Sequence, residues 1–413
     1  MFIGRSQELK IINELLDKNS GSLMVYGKRK VGKTTLLTHA LKDSKDKTIY
    51  YECIKAPIKD NVDGLVGVLI KEGVIPSMLS FSSFKDVFAY LNTLQTTFNV
   101  IIDEYPYLKR FTQPEVVDSV FQTIIDNHIS NIRLFLSGSH VGMMSDLLEE
   151  GNALYGRFDK VIKLKELNYV EAAEFYSEKN VYDRVATFAV FGGSPFVNTA
   201  LDGKKTLKEN VLNTILNPSS SVSNYVEHLL MSDHSNSINA ERILFAVANG
   251  KKKHGDIENK LNMEKNGLLS KQLNTLLDID ILSKVYPINM KNDNKKSYYE
   301  ITDNLLRFYY TFVYKNKSAL QTLGAEGFYD AYIEPSINTF IAHRFEDICR
   351  TYFALAVRSG KMKGIYDIGT FYYDDKDNKT NGEFDVALKK ADGYDIYEAK
   401  YYSGKLSEKE MLE

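Results

Sequence analysis

The apolar positions fall into stretches with different rhythms. Three short runs are apolar throughout before they meet a polar or glycine-rich segment, at residues 23–26, 100–102 and 134–136. Such runs read as strands buried on both faces, as in a parallel sheet covered by helices. The first is followed by Thr35-Leu36-Leu37-Thr38-His39-Ala40-Leu41, which reads as a helix. From Val161 to about Ser232 apolar residues recur at spacings of three and four, as in Tyr169-Val170-Glu171-Ala172-Ala173-Glu174-Phe175-Tyr176, so this stretch predicts helices. Asn217-Pro218-Ser219-Ser220-Ser221 punctuates it as a turn. Between 238 and 310 the pattern predicts helices at 240–248, 256–261 and 267–277, then strands at 282–286 and 297–301 around a polar loop. Three helices and a hairpin predict a winged helix. Near the end the period becomes two: residues 382–388 and 394–400 alternate around a turn at 389–393.

At 413 residues the chain exceeds what one core supports, and at about 100–200 residues per domain it holds two to four. A hydrophobic share of 44%, a charged share of 26% and the absence of low-complexity tracts indicate an ordinary globular protein. Net charge is -2 with pI near 6.4, which excludes a uniformly basic nucleic-acid-binding surface but leaves room for a local basic patch. Cys53 and Cys349 sit in no metal-like or CxxC spacing, so a reducing compartment is expected. Met1-Phe2-Ile3-Gly4-Arg5 lacks the pattern of a signal peptide, and no apolar run approaches about 18 residues. A cytoplasmic protein that does not span a membrane is the expectation.

Chemistry enters at the end of the first apolar run. Gly27-Lys28-Arg29-Lys30-Val31-Gly32-Lys33-Thr34 matches GxxxxGK[ST] in full, between a strand and a helix. Its glycines let successive N–H groups turn inward on phosphate oxygens, and the helix beginning near Thr34 and Thr35 adds its positive end. Lys33 is expected on the β- and γ-phosphates and Thr34 on Mg²⁺, so the ligand is ATP or ADP. The second run ends in Asp103-Glu104, at the strand end where ligands bind in open α/β sheets. Asp103 is assigned to the Mg²⁺ shell and Glu104 to polarising the attacking water. The third runs into Ser137-Gly138-Ser139-His140, where Ser139 either senses the γ-phosphate or orients the water, or else closes a turn.

Phe2-Ile3-Gly4-Arg5-Ser6-Gln7-Glu8-Leu9, the phosphate loop, the Asp-Glu strand, the Ser-Gly-Ser strand end, Leu154-Tyr155-Gly156-Arg157 and Gly192-Gly193-Ser194-Pro195 occur in a shared order. In this the chain resembles the archaeal-type ATPases of the AAA+/STAND group. The resemblance implies that Phe2, Gly4 and Arg5 lie beside the adenine and that Gly193 and Pro195 close over the nucleotide from a helical lid. It also implies that Arg157 reaches the γ-phosphate in cis or across the interface of an oligomer, against a capping or surface role. Tyr299-Glu300-Ile301-Thr302-Asp303 followed by Arg307-Phe308-Tyr309 resembles the exit segment of the family's winged helix. The second helix of such a unit can read DNA, but Leu268-Leu269-Ser270-Lys271-Gln272-Leu273-Asn274-Thr275 has no arginine and few base-reading side chains, which favours a relay or interaction role.

In the last hairpin, alternation puts Asp385 on the face of Glu383 and Glu398 on the face of Lys400. Such a hairpin either is an exposed charged ribbon or converges Asp385 and Glu398 on Mg²⁺ beside Lys400. The family resemblance extends here to a restriction-endonuclease-like domain of PD-(D/E)XK type, matched by Phe345-Glu346-Asp347-Ile348-Cys349, Ile368-Gly369, Glu383-Phe384-Asp385 and Glu398-Ala399-Lys400. It implies Asp385, Glu398 and Lys400 as the active-site set, with Glu346 as a fourth. Relatives continue well past this motif, whereas 13 residues follow Lys400 here, so the domain is expected to extend beyond Glu413.

The expected architecture is an α/β P-loop NTPase core at 1–160, a helical lid at 161–235, a winged helix at 236–315 and an α/β restriction-endonuclease-like domain at 316–413. Three functions compete. One is an ATP-driven switch controlling a C-terminal domain that acts on DNA. Another is a signalling module that holds nucleotide without turnover and carries a degenerate nuclease fold. The third is a DNA-binding regulator acting through the winged helix.

Overall fold

A computed structural model describes residues 2–229, 239–264, 266–291 and 293–402. It forms two compact units, Met1–Glu166 and Leu167–Glu413.

The first unit is built on a five-stranded sheet of β1 (Gly21–Tyr26), β2 (Lys47–Glu52), β3 (Phe98–Asp103), β4 (Ile132–Gly138) and β5 (Lys160–Lys163), ordered β2-β3-β4-β1-β5. Every pairing is parallel, so the carboxyl ends of β1, β4 and β3 lie side by side along one edge. β1, β3 and β4 are buried at every position, which is why their sequences run apolar without alternation. Successive residues nonetheless face opposite layers. Val25, Ile101 and Phe135 pack with α1 (Ser6–Leu16) and α2 (Lys33–Leu41). Met24, Val100, Ile102, Leu134 and Leu136 pack with α3 (Ile58–Lys71), α4 (Phe84–Thr93) and α5 (Pro114–Asn127). β5 corrects the expectation that helices begin at Val161. Its four residues bury only Ile162, too short a run to carry a period, and pairing with β1 makes it a strand.

The second unit begins with helices, among them Val181–Phe191 and Pro195–Thr199. Helices Ala240–Ala248, His254–Leu261 and Leu268–Asp278 are followed by the antiparallel pair β6 (Leu282–Val285) and β7 (Tyr298–Ile301), close to the predicted spans. The long helix Ile337–Arg358 precedes an antiparallel sheet, β10-β9-β8, of β8 (Asp367–Asp375), β9 (Thr380–Lys389) and β10 (Tyr394–Tyr397). β10 stops at Tyr397, three residues short of the predicted Lys400, because Ala399 N–H turns to the Asp385 carboxylate (2.8 Å) and leaves the ladder. Among the described residues no helix is long and apolar enough to cross a membrane.

Candidate functional site

The sheet edge that carries the phosphate loop also gathers the polar residues of β3 and β4. Gly27 leaves β1 where a Cβ would lie 2.1 Å from the Leu164 carbonyl oxygen, so only glycine fits. Lys30 and Gly32 take left-handed φ values of 66° and 96°, which curl the loop before α2 starts at Lys33. Lys28 and Arg29 are half-buried, Val31 is buried, and Lys30, Thr34 and Thr35 are exposed. Lys33 is buried, and its ammonium donates to the carbonyls of Gly27 (2.9 Å) and Lys28 (3.0 Å) within the loop.

Thr34 Oγ1 donates to Asp103 Oδ2 over 2.7 Å, so hydroxyl and carboxylate share one locus at the mouth of the loop. Glu104 follows in a left-handed conformation, with φ 51° and ψ 42°, and its N–H donates to Asp103 Oδ1 (2.9 Å). That turn carries the Glu104 carboxylate across to β4, where Ser139 Oγ donates to Oε2 (2.8 Å) and Ser139 N–H supports it (3.3 Å). Glu52, at the end of β2 opposite Asp103, has its carboxyl held above the ordinary range by burial and by the charges of Asp103 and Glu104. Excess negative charge at adjacent strand ends suits a cation.

Arg5 reaches the loop from outside: its guanidinium donates to the Val31 carbonyl (2.9 Å) and pairs with Glu8 (3.4 Å), and both it and Gly4 have positive φ. Phe2 stacks on His39 with ring centroids 3.8 Å apart. Arg157 is not brought to this edge. Ser22, near the start of β1, donates to its carbonyl (3.0 Å), and its guanidinium pairs with Asp126 (3.1 Å). Ser22 lies five residue steps before Gly27 on β1, roughly 16 Å at 3.3 Å per residue, so the Arg157 backbone sits near the opposite end of that strand from the phosphate loop. Gly193 and Pro195 lie in the second unit, where a Cβ on Gly193 would lie 1.8 Å from the Leu167 carbonyl oxygen and Pro195 opens a short helix. Close backbone approach is a sufficient reason for that glycine.

Tyr50, which no sequence motif marks, also reaches this edge. Its phenol donates to Asp103 Oδ2 (2.9 Å), the oxygen that also receives Thr34, and burial beside the Asp103 charge raises its pKa. The alternation of Tyr50 and Glu52 was visible, but only the β2–β3 register aims that face at Asp103.

In the second unit, a cleft of about 370 Å³ is lined by Lys252, Lys253, Glu300, Glu346, Arg350 and Asp385, among others. Asp385 has its carboxyl raised by burial and by the charges of Glu346 and Glu398, although the Ala399 N–H opposes the shift. Lys400 Nζ donates to Glu398 Oε1 (3.1 Å), and Glu346 pairs with His343 (3.1 Å). The predicted residues therefore share a neighbourhood, but Asp385 is aimed at a backbone N–H and Lys400 at Glu398. Among the described residues no three His, Cys, Asp or Glu side chains converge to hold a metal ion.

The loop geometry makes a direct prediction for Lys33. Lys33→Ala is expected to weaken ATP binding about 100-fold, because a hydrogen bond to a charged group contributes about 1.5–3 kcal/mol and each tenfold is about 1.4 kcal/mol. Equilibrium binding of a fluorescent ATP analogue checks it, and an unchanged Kd would remove Lys33 from the phosphates.

Residues 2–195 match an ATPase domain found predominantly in Archaea, and residues 309–412 match a domain of archaeal and bacterial proteins of unknown function. An uncharacterized protein of Methanocaldococcus jannaschii is 30% identical over 358 residues, covering 85% of this chain and 77% of its own. In fold the chain is similar to a Walker-type ATPase of Pyrococcus abyssi (TM-score 0.58, 19% identity, 75% of this chain and 96% of that one). It is similar also to the ORC2 protein of Aeropyrum pernix, solved in ADPNP–ADP complexes (TM-score 0.50, 14% identity, 77% and 94%). The chain belongs to the family of archaeal-type P-loop ATPases that join this ATPase domain to the C-terminal domain of unknown function.

Proposed function

We propose that the protein is an ATP-hydrolysing switch of AAA+/STAND type, in which nucleotide state controls the exposure of the C-terminal domain. The observation that carries this reading is the hydrogen-bonded chain Thr34–Asp103–Glu104–Ser139 along one sheet edge. Thr34 and Asp103 fit a divalent cation, since a hydroxyl and a carboxylate oxygen 2.7 Å apart offer it two hard oxygen donors. Mg²⁺, when bound, supplies charge against the β- and γ-phosphates. Lys33 holds those phosphates, and the loop amides surround them. Ser139 fixes one oxygen of Glu104, which leaves the other to take a proton from the attacking water.

For the C-terminal domain, the order of Glu346, Asp385, Glu398 and Lys400 supports a nuclease-like fold, and the helices and hairpin between residues 240 and 301 support a winged helix. Among the described residues these side chains do not converge to hold a divalent ion. That favours, for this domain, the reading in which a degenerate nuclease fold serves as an interaction surface. Mg²⁺-dependent ATPase and plasmid-nicking assays on one preparation test both halves. The expected result is phosphate release together with no nicking by the wild type, Asp385→Ala or Lys400→Ala. Nicking by the wild type that both substitutions abolish would restore the nuclease reading, and absence of phosphate release would remove the switch.

A further inference from the structure

The hydroxyl of Tyr50 has a place in the nucleotide site that no motif assigns. Asp103 is held by three donors: Thr34 Oγ1 and Tyr50 OH on Oδ2, at 2.7 and 2.9 Å, and Glu104 N–H on Oδ1 at 2.9 Å. These donors are not equivalent. A threonine hydroxyl has one proton and two lone pairs, so Thr34 can give its oxygen to a cation while its proton goes elsewhere. The Glu104 N–H belongs to the turn that carries the Glu104 carboxylate toward Ser139, and it meets the other oxygen, Oδ1. Tyr50 stands on β2, in register with Ile101 of the strand that ends at Asp103, so its ring is fixed relative to that carboxylate by the sheet itself. Its neighbour Tyr51 faces the other way and donates to Asn61 Oδ1 over 3.0 Å.

We infer that Tyr50 is a positioning residue for the Mg²⁺-binding half of the nucleotide site: its hydroxyl sets the rotation of the Asp103 carboxylate and leaves that oxygen facing the locus shared with Thr34. This rests on the reading of Thr34 and Asp103 as the cation's residues. Groups that orient metal-binding carboxylates typically change metal affinity by about 10–100-fold when removed. Tyr50→Phe keeps the ring and its packing and deletes only the donor.

The test is binding of a fluorescent ATP analogue by the full chain, first in EDTA and then across a Mg²⁺ titration, for wild type, Tyr50→Phe and Tyr51→Phe. The expected result is equal affinity of all three proteins in EDTA and a Mg²⁺ midpoint about 10-fold higher in Tyr50→Phe alone. A Tyr50→Phe midpoint equal to that of wild type overturns the inference. So does a loss of affinity in EDTA, which would make Tyr50 a structural residue of the loop. If the wild type itself shows no Mg²⁺-dependent tightening, the reading of Thr34 and Asp103 fails, and the inference fails with it; a normal wild-type response beside an unshifted variant isolates the failure to Tyr50.

Discussion

Glu104→Gln is expected to lower ATP turnover by about 100-fold or more while leaving ATP affinity within a few-fold of wild type. The magnitude follows from the about 10²–10⁴-fold that a positioned general base contributes. Binding should survive because Ser139 holds Glu104 just after β4, whereas the proposed phosphate contacts come from the loop amides and Lys33. The substitution keeps shape and keeps an oxygen that Ser139 can reach, so the change isolates basicity. Single-turnover hydrolysis and equilibrium binding on the same variant separate the two terms. Near-normal turnover would move the base to another residue of the edge, with Glu52 next in line by position.

The second large effect concerns stability. Asp118 is buried on α5 and accepts from Lys109 Nζ (2.8 Å), Tyr105 OH (2.7 Å) and Asn152 Nδ2 (3.0 Å). Lys109 is equally buried, with a side-chain exposure of 5% against 3% for Asp118, so removing the carboxylate strands an ammonium in the interior. Breaking such a pair from one side costs about 3–5 kcal/mol. Asp118→Ala should therefore lower the melting temperature of the first unit by about 6–20 °C, at roughly 2–4 °C per kcal/mol for a unit of this size. The pair also anchors the turn Tyr105–Arg110 that begins directly after Glu104, so turnover should decline before global unfolding does. A loss below about 1 kcal/mol in denaturant titration would show that Lys109 finds water or another partner.

What was legible in the sequence was local. The phosphate loop is eight consecutive residues whose glycines and lysine have a backbone reason to stand where they do. β3 and β4 announced themselves because strands buried on both faces cannot alternate. The positions that escaped depend on which strands become neighbours. Tyr50 acquires its role from the β2–β3 register, and β5 from pairing with β1. Arg157 was tied to a phosphate by the family resemblance, whereas here its backbone meets Ser22 near the start of β1 and its guanidinium pairs with Asp126. Gly193 shows the converse: the motif pointed to a ligand, and the structure supplies a packing reason in the Leu167 carbonyl. In the last hairpin the alternation was correct up to Tyr397, after which the Ala399 N–H donates to the Asp385 carboxylate and the strand ends.

On the proposed function, the sheet edge built from Lys33, Thr34, Asp103 and Glu104 hydrolyses ATP. The most direct measurement is Mg²⁺-dependent phosphate release from ATP by wild type and Lys33→Ala, purified identically and compared at equal concentration. The expected result is release by the wild type that EDTA abolishes, and release at background level by Lys33→Ala. Equal release by both proteins, or none by a wild type that binds ATP, would contradict it.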